Sequence, residues 1–170
     1  MADDLSEPLP QVGLRPVTPD DRDFLLAVYA STRAEELRLV PWSDVDRAAF
    51  VSMQFEAQDA AYRATYPDAR FLIITSGDDF IGRLYLARLA DEIRVIDIAI
   101  LPGHRGAGIG TRLLKDVLAE AARDGLPVRL HVERRNPARV LYERLGFRPV
   151  GGDEVYERME CLPSMAGTPS

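Results

Sequence analysis

The residues with the clearest chemical capacity lie between Asp97 and Gly110, in the run Asp97-Ile98-Ala99-Ile100-Leu101-Pro102-Gly103-His104-Arg105-Gly106-Ala107-Gly108-Ile109-Gly110. An apolar strand pattern ends in a loop with glycines at 106, 108 and 110, and a helix pattern follows at once. Glycine lets the backbone turn tightly and leaves its N–H groups uncovered. Those groups and the positive end of the helix make a site for an anion, above all a phosphate. Arg105 at the edge can add a forked, charge-assisted contact. The alternative is a tight turn that binds nothing. No Gly-Lys-Ser/Thr follows, so this is no Walker loop, and Thr111 stands where the dinucleotide fingerprint needs its third glycine. The spacing that remains is Arg-x-x-Gly-x-Gly, beginning at Arg105.

Other chemistry is scarce. Cys161 is the single cysteine, so a disulfide framework and a cysteine metal site are excluded within one chain. His104 and His131 are the two histidines and form no HxH or HxxxH pair, so no metal is expected.

The elements that must position the loop can be read from pattern. After it, Ile109, Leu113, Leu114, Val117, Leu118 and Ala121 fall on one helical face, and Gly125 is a suitable stop. Before it, Ile93 to Ile100 is almost continuously apolar and predicts a central strand. Strands are also predicted at 12–17, 70–75, 80–89, 127–133, 147–150 and 155–161. Thr18-Pro19-Asp20-Asp21 opens a helix that runs to about Leu39, and a second helix spans about 46–65. In that second helix Phe50, Met53, Ala57, Ala61 and Ala64 form an apolar stripe, beside a polar ladder of Gln54, Gln58 and Tyr62. Asn136 caps a short helix with apolar positions Val140, Leu141 and Leu145. The order β-α-α-β-β-β-α-β-α-β-β implies a mixed α/β sheet in which the strand–helix–strand unit around the glycine loop pairs in parallel.

The chain has 170 residues, 46% hydrophobic and 28% charged, which fits one globular domain over 12–161 between flexible tails at 1–11 and 162–170. It contains no run of about 18 apolar residues and its acidic start lacks a signal-peptide core, so no membrane association and a cytoplasmic location are expected. A net charge of −6 argues against nucleic-acid binding. Residues 101–150, however, carry +5, and the rest carries −11. A basic segment around the glycine loop suits a polyanionic ligand, and an acidic remainder suits a cationic partner.

Two stretches now resemble one family. Asp97 to Gly110 resembles the acyl-CoA pyrophosphate loop of the GNAT superfamily of N-acyltransferases. Leu130-His131-Val132-Glu133-Arg134-Arg135-Asn136-Pro137-Ala138-Arg139-Val140-Leu141-Tyr142-Glu143-Arg144-Leu145-Gly146-Phe147 resembles its second signature. The resemblance implies a GNAT-like central mixed sheet of about seven strands, antiparallel with one splayed parallel pair, and helices on both faces. It implies acetyl-CoA as co-substrate, no metal, and direct transfer of the acetyl group to an amine in a ternary complex. The pantetheine arm would lie between the splayed strands against Ile98, Ala99 and Ile100. The phosphates would sit on Arg105, Gly106, Ala107, Gly108, Ile109, Gly110 and Thr111; Asn136 would bond the pantetheine arm, and Arg139 would add a further cofactor contact.

The resemblance makes Tyr142 the general acid that returns a proton to the CoA thiolate. Relatives with a Glu base on the strand before the Asn have His131 at that place here, and Asp97 at the mouth of the slot is the other candidate base. Histidine titrates near neutrality, about pH 6.5, and suits the role. The acceptor would meet the first two helices, where Arg33, Glu35, Glu36, Gln54, Gln58 and Tyr62 are candidates. An exposed edge strand at 155–161 would permit a homodimer. A non-catalytic acyl-CoA-binding or sensing module is the alternative, kept open by the departure from Glu at 131.

Overall fold

The computed structural model describes residues 11–164. Most of both expected tails lies outside that range; Gln11 itself extends the first strand, its carbonyl accepting from Gly77 N–H at 3.0 Å. Seven strands form one sheet: β1 Val12–Pro16, β2 Arg70–Ser76, β3 Asp79–Arg88, β4 Ile93–Ile100, β5 Val128–Glu133, β6 Arg148–Gly152 and β7 Tyr156–Cys161. Four helices accompany them: α1 Arg22–Arg38, α2 Asp44–Thr65, α3 Ile109–Arg123 and α4 Ala138–Arg144. The strand order is β1-β2-β3-β4-β5-β7-β6, antiparallel throughout except for β4 with β5. The mixed α/β sheet with one parallel pair is therefore as the element order predicts.

Each face of the sheet buries its own cluster. Helices α1 and α2 pack Leu25, Tyr29, Leu37, Val51 and Phe55 on Ile73 and Tyr85. On the opposite face α3 and α4 pack Ile109, Leu113, Leu114, Val117 and Tyr142 on Leu84, Val95, Leu130 and Val132. β3 is the most enclosed strand, buried without a break from Ile81 to Ala87. β4 holds the middle of the order, but from Ile96 to Ile100 it is only half-buried.

Side-chain bonds fix the starts of the first two helices. Asp21 accepts from Thr18 N–H at 2.7 Å and forms a 2.7 Å ion pair with Arg15, which ties the start of the first helix to β1. The helix begins with one 3-10 turn, Pro19–Asp21, before the α geometry. Ser43 caps α2 by accepting from Asp46 N–H at 3.1 Å.

Three expectations are corrected. α2 does not bury its alanine stripe: Met53 is 58% exposed, Ala61 and Ala64 are exposed and Ala57 borders an open cleft, while Phe55 is 3% exposed. Apolar stabilisation follows buried area, and the phenyl ring of Phe55 with Val51 outweighs three methyls. The helix is thus rotated so that Gln54, Gln58 and Tyr62 point inward. In α4 the buried residue is Tyr142, and Val140 lies outside at 53% exposure. Finally, β7 is no edge: it pairs with β5 on one side and β6 on the other, because the last hairpin folds its second strand inward. The exposed edge on that side is β6.

Candidate active site

β4 and β5 begin as neighbours and then part. Their parallel pairing covers Ile93, Arg94 and Val95 against Val128, Arg129 and Leu130, and goes no further. On the other side of β4, Tyr85 pairs with Asp97 and Leu86 with Val95, so Ile96 is an extra, bulged residue. A bulge bends its strand and raises its twist. The bend opens a cleft of about 520 Å³ between the strands, floored by β3 and walled by α1, α2 and α4. Ile98 and Ala99 line it along β4, and Leu130, His131, Val132 and Glu133 along β5.

The glycine loop stands at the outer end of β4. Gly106 and Gly108 have φ of 80° and 78°, the left-handed region that favours glycine. Gly108 caps α3 without a side chain, so the first N–H groups of that 15-residue helix are not taken by a cap. Arg105 donates from Nε to the Ile100 carbonyl at 2.8 Å, which seats its guanidinium at the joint of loop and slot. The geometry fits a linear ligand with an anionic end: an unpaired stretch of strand backbone leads to an uncovered helix start.

Tyr142 lines the cleft from α4 at 7% exposure. Its ring packs edge-on to Phe147 with centroids 5.8 Å apart. Burial first, then the Asp97 charge, pushes its phenol up to about 12, so it keeps its proton through the physiological range. Asn136 also lines the cleft, and its Oδ1 accepts from Ala138 N–H at 2.9 Å, leaving the amide NH₂ as the group it can offer. Arg139 is placed elsewhere: it donates to buried Glu157 at 3.0 Å and pairs with Glu143 at 3.6 Å, and so is held to β7.

Of the two candidate bases, Asp97 is locked in an ion pair with Arg83, whose side chain also donates to Gln58 Oε1 at 2.9 Å. His131 sits beside Arg94, with Nη1 3.3 Å from Nδ1. Arginine can only donate, so Nδ1 is assigned as acceptor and the neutral ring carries its proton on Nε2. Burial, then Arg94 and Arg158, push the imidazole below its ordinary value and keep it neutral. A neutral ring so held has no free lone pair for an incoming proton.

The structure brings Arg33, Glu36, Gln54, Gln58 and Tyr62 together in the cleft wall. Glu35 points to solvent and takes no part, while Glu36 is paired to Arg33 at 3.2 Å. Tyr62 is half-buried, and its phenol is raised by burial and then by Asp97. The cleft residues not anticipated include Tyr29, Arg83, Glu133 and Tyr156. Arg83 had left a trace, being the single charge inside the apolar run Phe80 to Ala87. Among the described residues no group of three or more His, Cys, Asp or Glu could hold a metal, and no helix is long and apolar enough to cross a membrane.

A mixed sheet with one splayed parallel pair, a bulged strand and a glycine loop opening a helix together make a GNAT-like fold. Residues 67–149 match the family model of the acetyltransferase (GNAT) domain, and the chain belongs to that family. The [ribosomal protein bS18]-alanine N-acetyltransferase of Haemophilus influenzae is 34% identical over 102 residues, covering 53% of this chain and 70% of that one. The mycothiol acetyltransferase of Nocardiopsis dassonvillei is 28% identical over 151 residues, covering 82% of this chain but 44% of the relative. In fold, the chain is similar to the PaiA N-acetyltransferase of Thermoplasma acidophilum, solved in complex with coenzyme A, with a TM-score of 0.67 at 19% identity over 89% of this chain and 98% of that one.

Proposed function

We propose that this chain transfers the acetyl group of acetyl-CoA directly to an amine in a ternary complex. The observation that carries this is the slot itself, where unpaired β4 backbone, the glycine loop and the inward Tyr142 meet along one path. The basic character of residues 101–150 supports a polyanionic co-substrate there. In this reading the pyrophosphate rests on the N–H groups of Gly106 to Gly110, with Arg105 at its edge. The thioester carbonyl meets a backbone N–H near Ile98 to Ile100, which stabilises the charge that develops on its oxygen. Asn136 offers its amide to the pantetheine arm. Tyr142 donates its proton to the departing sulfur. A thiol titrates near 8.5 and this phenol near 12, so the sulfur is the weaker base and is protonated only while the phenol regains a proton from water. The acceptor approaches from the side of α1 and α2, between Arg33, Gln54, Gln58 and Tyr62.

The test is release of free CoA from acetyl-CoA in the presence of an amine panel of amino acids, polyamines, aminoglycosides and peptides with free N-termini. Turnover with at least one class, abolished by blocking its amine, is the expected result. Tight acetyl-CoA binding with no amine-dependent release would instead identify a binding or sensing module.

A further inference from the structure

Three carboxylates line the cleft: Glu36, Asp97 and Glu133. Glu36 is paired with Arg33 and Asp97 with Arg83. The Glu133 carboxylate has neither a hydrogen bond nor an ion pair among the described residues, although it is half-buried. A carboxylate that lines a cleft and is engaged by no other side chain is available to a ligand that enters the cleft.

Its location is fixed by register. Val95 and Leu130 are the last residues that pair across β4 and β5. Three residues further along each strand stand Ile98 and Glu133, so Glu133 is level with the part of β4 that lines the slot. Along β5, Leu130 and Val132 are buried against α3, and His131 and Glu133 take the opposite face, toward α1 and α2. Tyr156 is directly opposite Glu133 on β7 and shares that face. Its phenol is raised by burial and then by the Glu133 charge, and it also responds to Arg33 and Tyr29 of α1. Glu133 therefore lies beside Tyr156 on the sheet face toward α1, in the cleft that Tyr29 and Arg33 also line. His131 lies two residues nearer the closed end, held by Arg94.

Resting on the acetyltransferase reading above, we propose that Glu133 binds the acceptor's amine and is the general base of the transfer. A free amine attacks the thioester carbon through its lone pair. Forming that N–C bond makes the nitrogen strongly acidic, so a carboxylate becomes a sufficient acceptor although it could not deprotonate a free ammonium of pKa about 10.4. One N–H proton passes to Glu133, the C–S bond breaks with its electron pair on sulfur, and Tyr142 protonates that sulfur. The proton on Glu133 leaves through water, and Tyr142 takes one back. The products are the amide and free CoA, with no net proton change from the neutral amine.

The experiment compares wild type, Glu133→Gln, Glu133→Asp and His131→Gln. The readouts are CoA release with an alanyl peptide amide, spermidine and lysine amide, acetyl-CoA affinity by calorimetry, and thermal unfolding. Glu133→Gln is expected to lower kcat/KM at least 100-fold with acetyl-CoA affinity and Tm unchanged. Glu133→Asp should recover part of that loss, which a merely structural role would not give, and His131→Gln should fall by less than 10-fold. Turnover of Glu133→Gln within 3-fold of wild type overturns the assignment and leaves the transferase reading intact. Wild type that binds acetyl-CoA yet releases no CoA with any of the three amines overturns that reading, and the role of Glu133 with it.

Discussion

Gly82 gives a direct test of whether the β4 backbone is the wall of the co-substrate slot. A Cβ at Gly82 would lie 2.3 Å from the Ala99 carbonyl oxygen, 3.1 Å from Ile100 Cα and 3.2 Å from the Ala99 carbonyl carbon. Carbon–oxygen contacts at strand interfaces sit at about 3.3 Å or more, so Gly82→Ala must push β4 back by about 1 Å. The atoms in the way are backbone, which cannot step aside as a side chain can. Overpacking of this kind costs about 1–3 kcal/mol, which for a chain of this size lowers Tm by about 3–10 °C. The displaced backbone is that of Ala99 and Ile100, next to Ile98 in the slot wall, so a misplacement of about 1 Å should also lower kcat/KM by about 100-fold. Thermal unfolding, calorimetric titration with acetyl-CoA and CoA release read the three effects. Gly103→Ala is the control, because a Cβ there meets nothing within 4 Å. Gly82→Ala with wild-type Tm and wild-type acetyl-CoA affinity would refute the steric argument and the slot's position.

Tyr142→Phe should reduce kcat by about 10–100-fold while acetyl-CoA affinity stays within about 3-fold, and a wild-type kcat would remove Tyr142 from the chemistry. Because its phenol is pushed up to about 12, kcat of the wild type should show no loss from this group as pH rises to about 10. Glu157→Gln should destabilise by about 2–3 kcal/mol: the carboxylate is 4% exposed and accepts from Arg134 at 2.8 Å and Arg139 at 3.0 Å, both partly screened by solvent. The same variant should loosen α4 and weaken acetyl-CoA binding, measurable in one titration. The folded state disfavours protonated His131, so its contribution is present above the ordinary histidine value and is lost as pH falls below it. His131→Asn should therefore lose less Tm than wild type between pH 7 and 5.

The scaffold was legible because its signals are strong and local. The element order, the parallel crossover, the glycine loop and both ends of α3 follow from turn chemistry and period, and all are where the pattern places them; the inward place of β7 in the sheet is not. What was hidden is long-range. Nothing local records that Arg139 turns to Glu157, eighteen residues away, instead of toward the glycine loop. Nor does His131, which matches a motif position well, announce that Arg94 from the neighbouring strand will occupy its Nδ1.

The packing of α2 shows why function distorts hydrophobic pattern. The alanine stripe won at the level of sequence because period-seeking counts apolar residues without weighing their area. The helix itself faces a sheet on one part of its inner side and an open polar cleft on the next. Val51 and Phe55 fill the first. Gln54, Gln58 and Tyr62 line the second. Gln58 accepts from Arg83 there, and so helps to hold the buried guanidinium that fixes Asp97 in the floor. A polar ladder next to buried aromatics is thus the trace of a site wall, and its cost in burial is offset by these bonds. Glu133 carries the same trace. An acid on the inner face of a buried strand has no place in a core, and in this fold that face borders the slot where the chemistry is proposed.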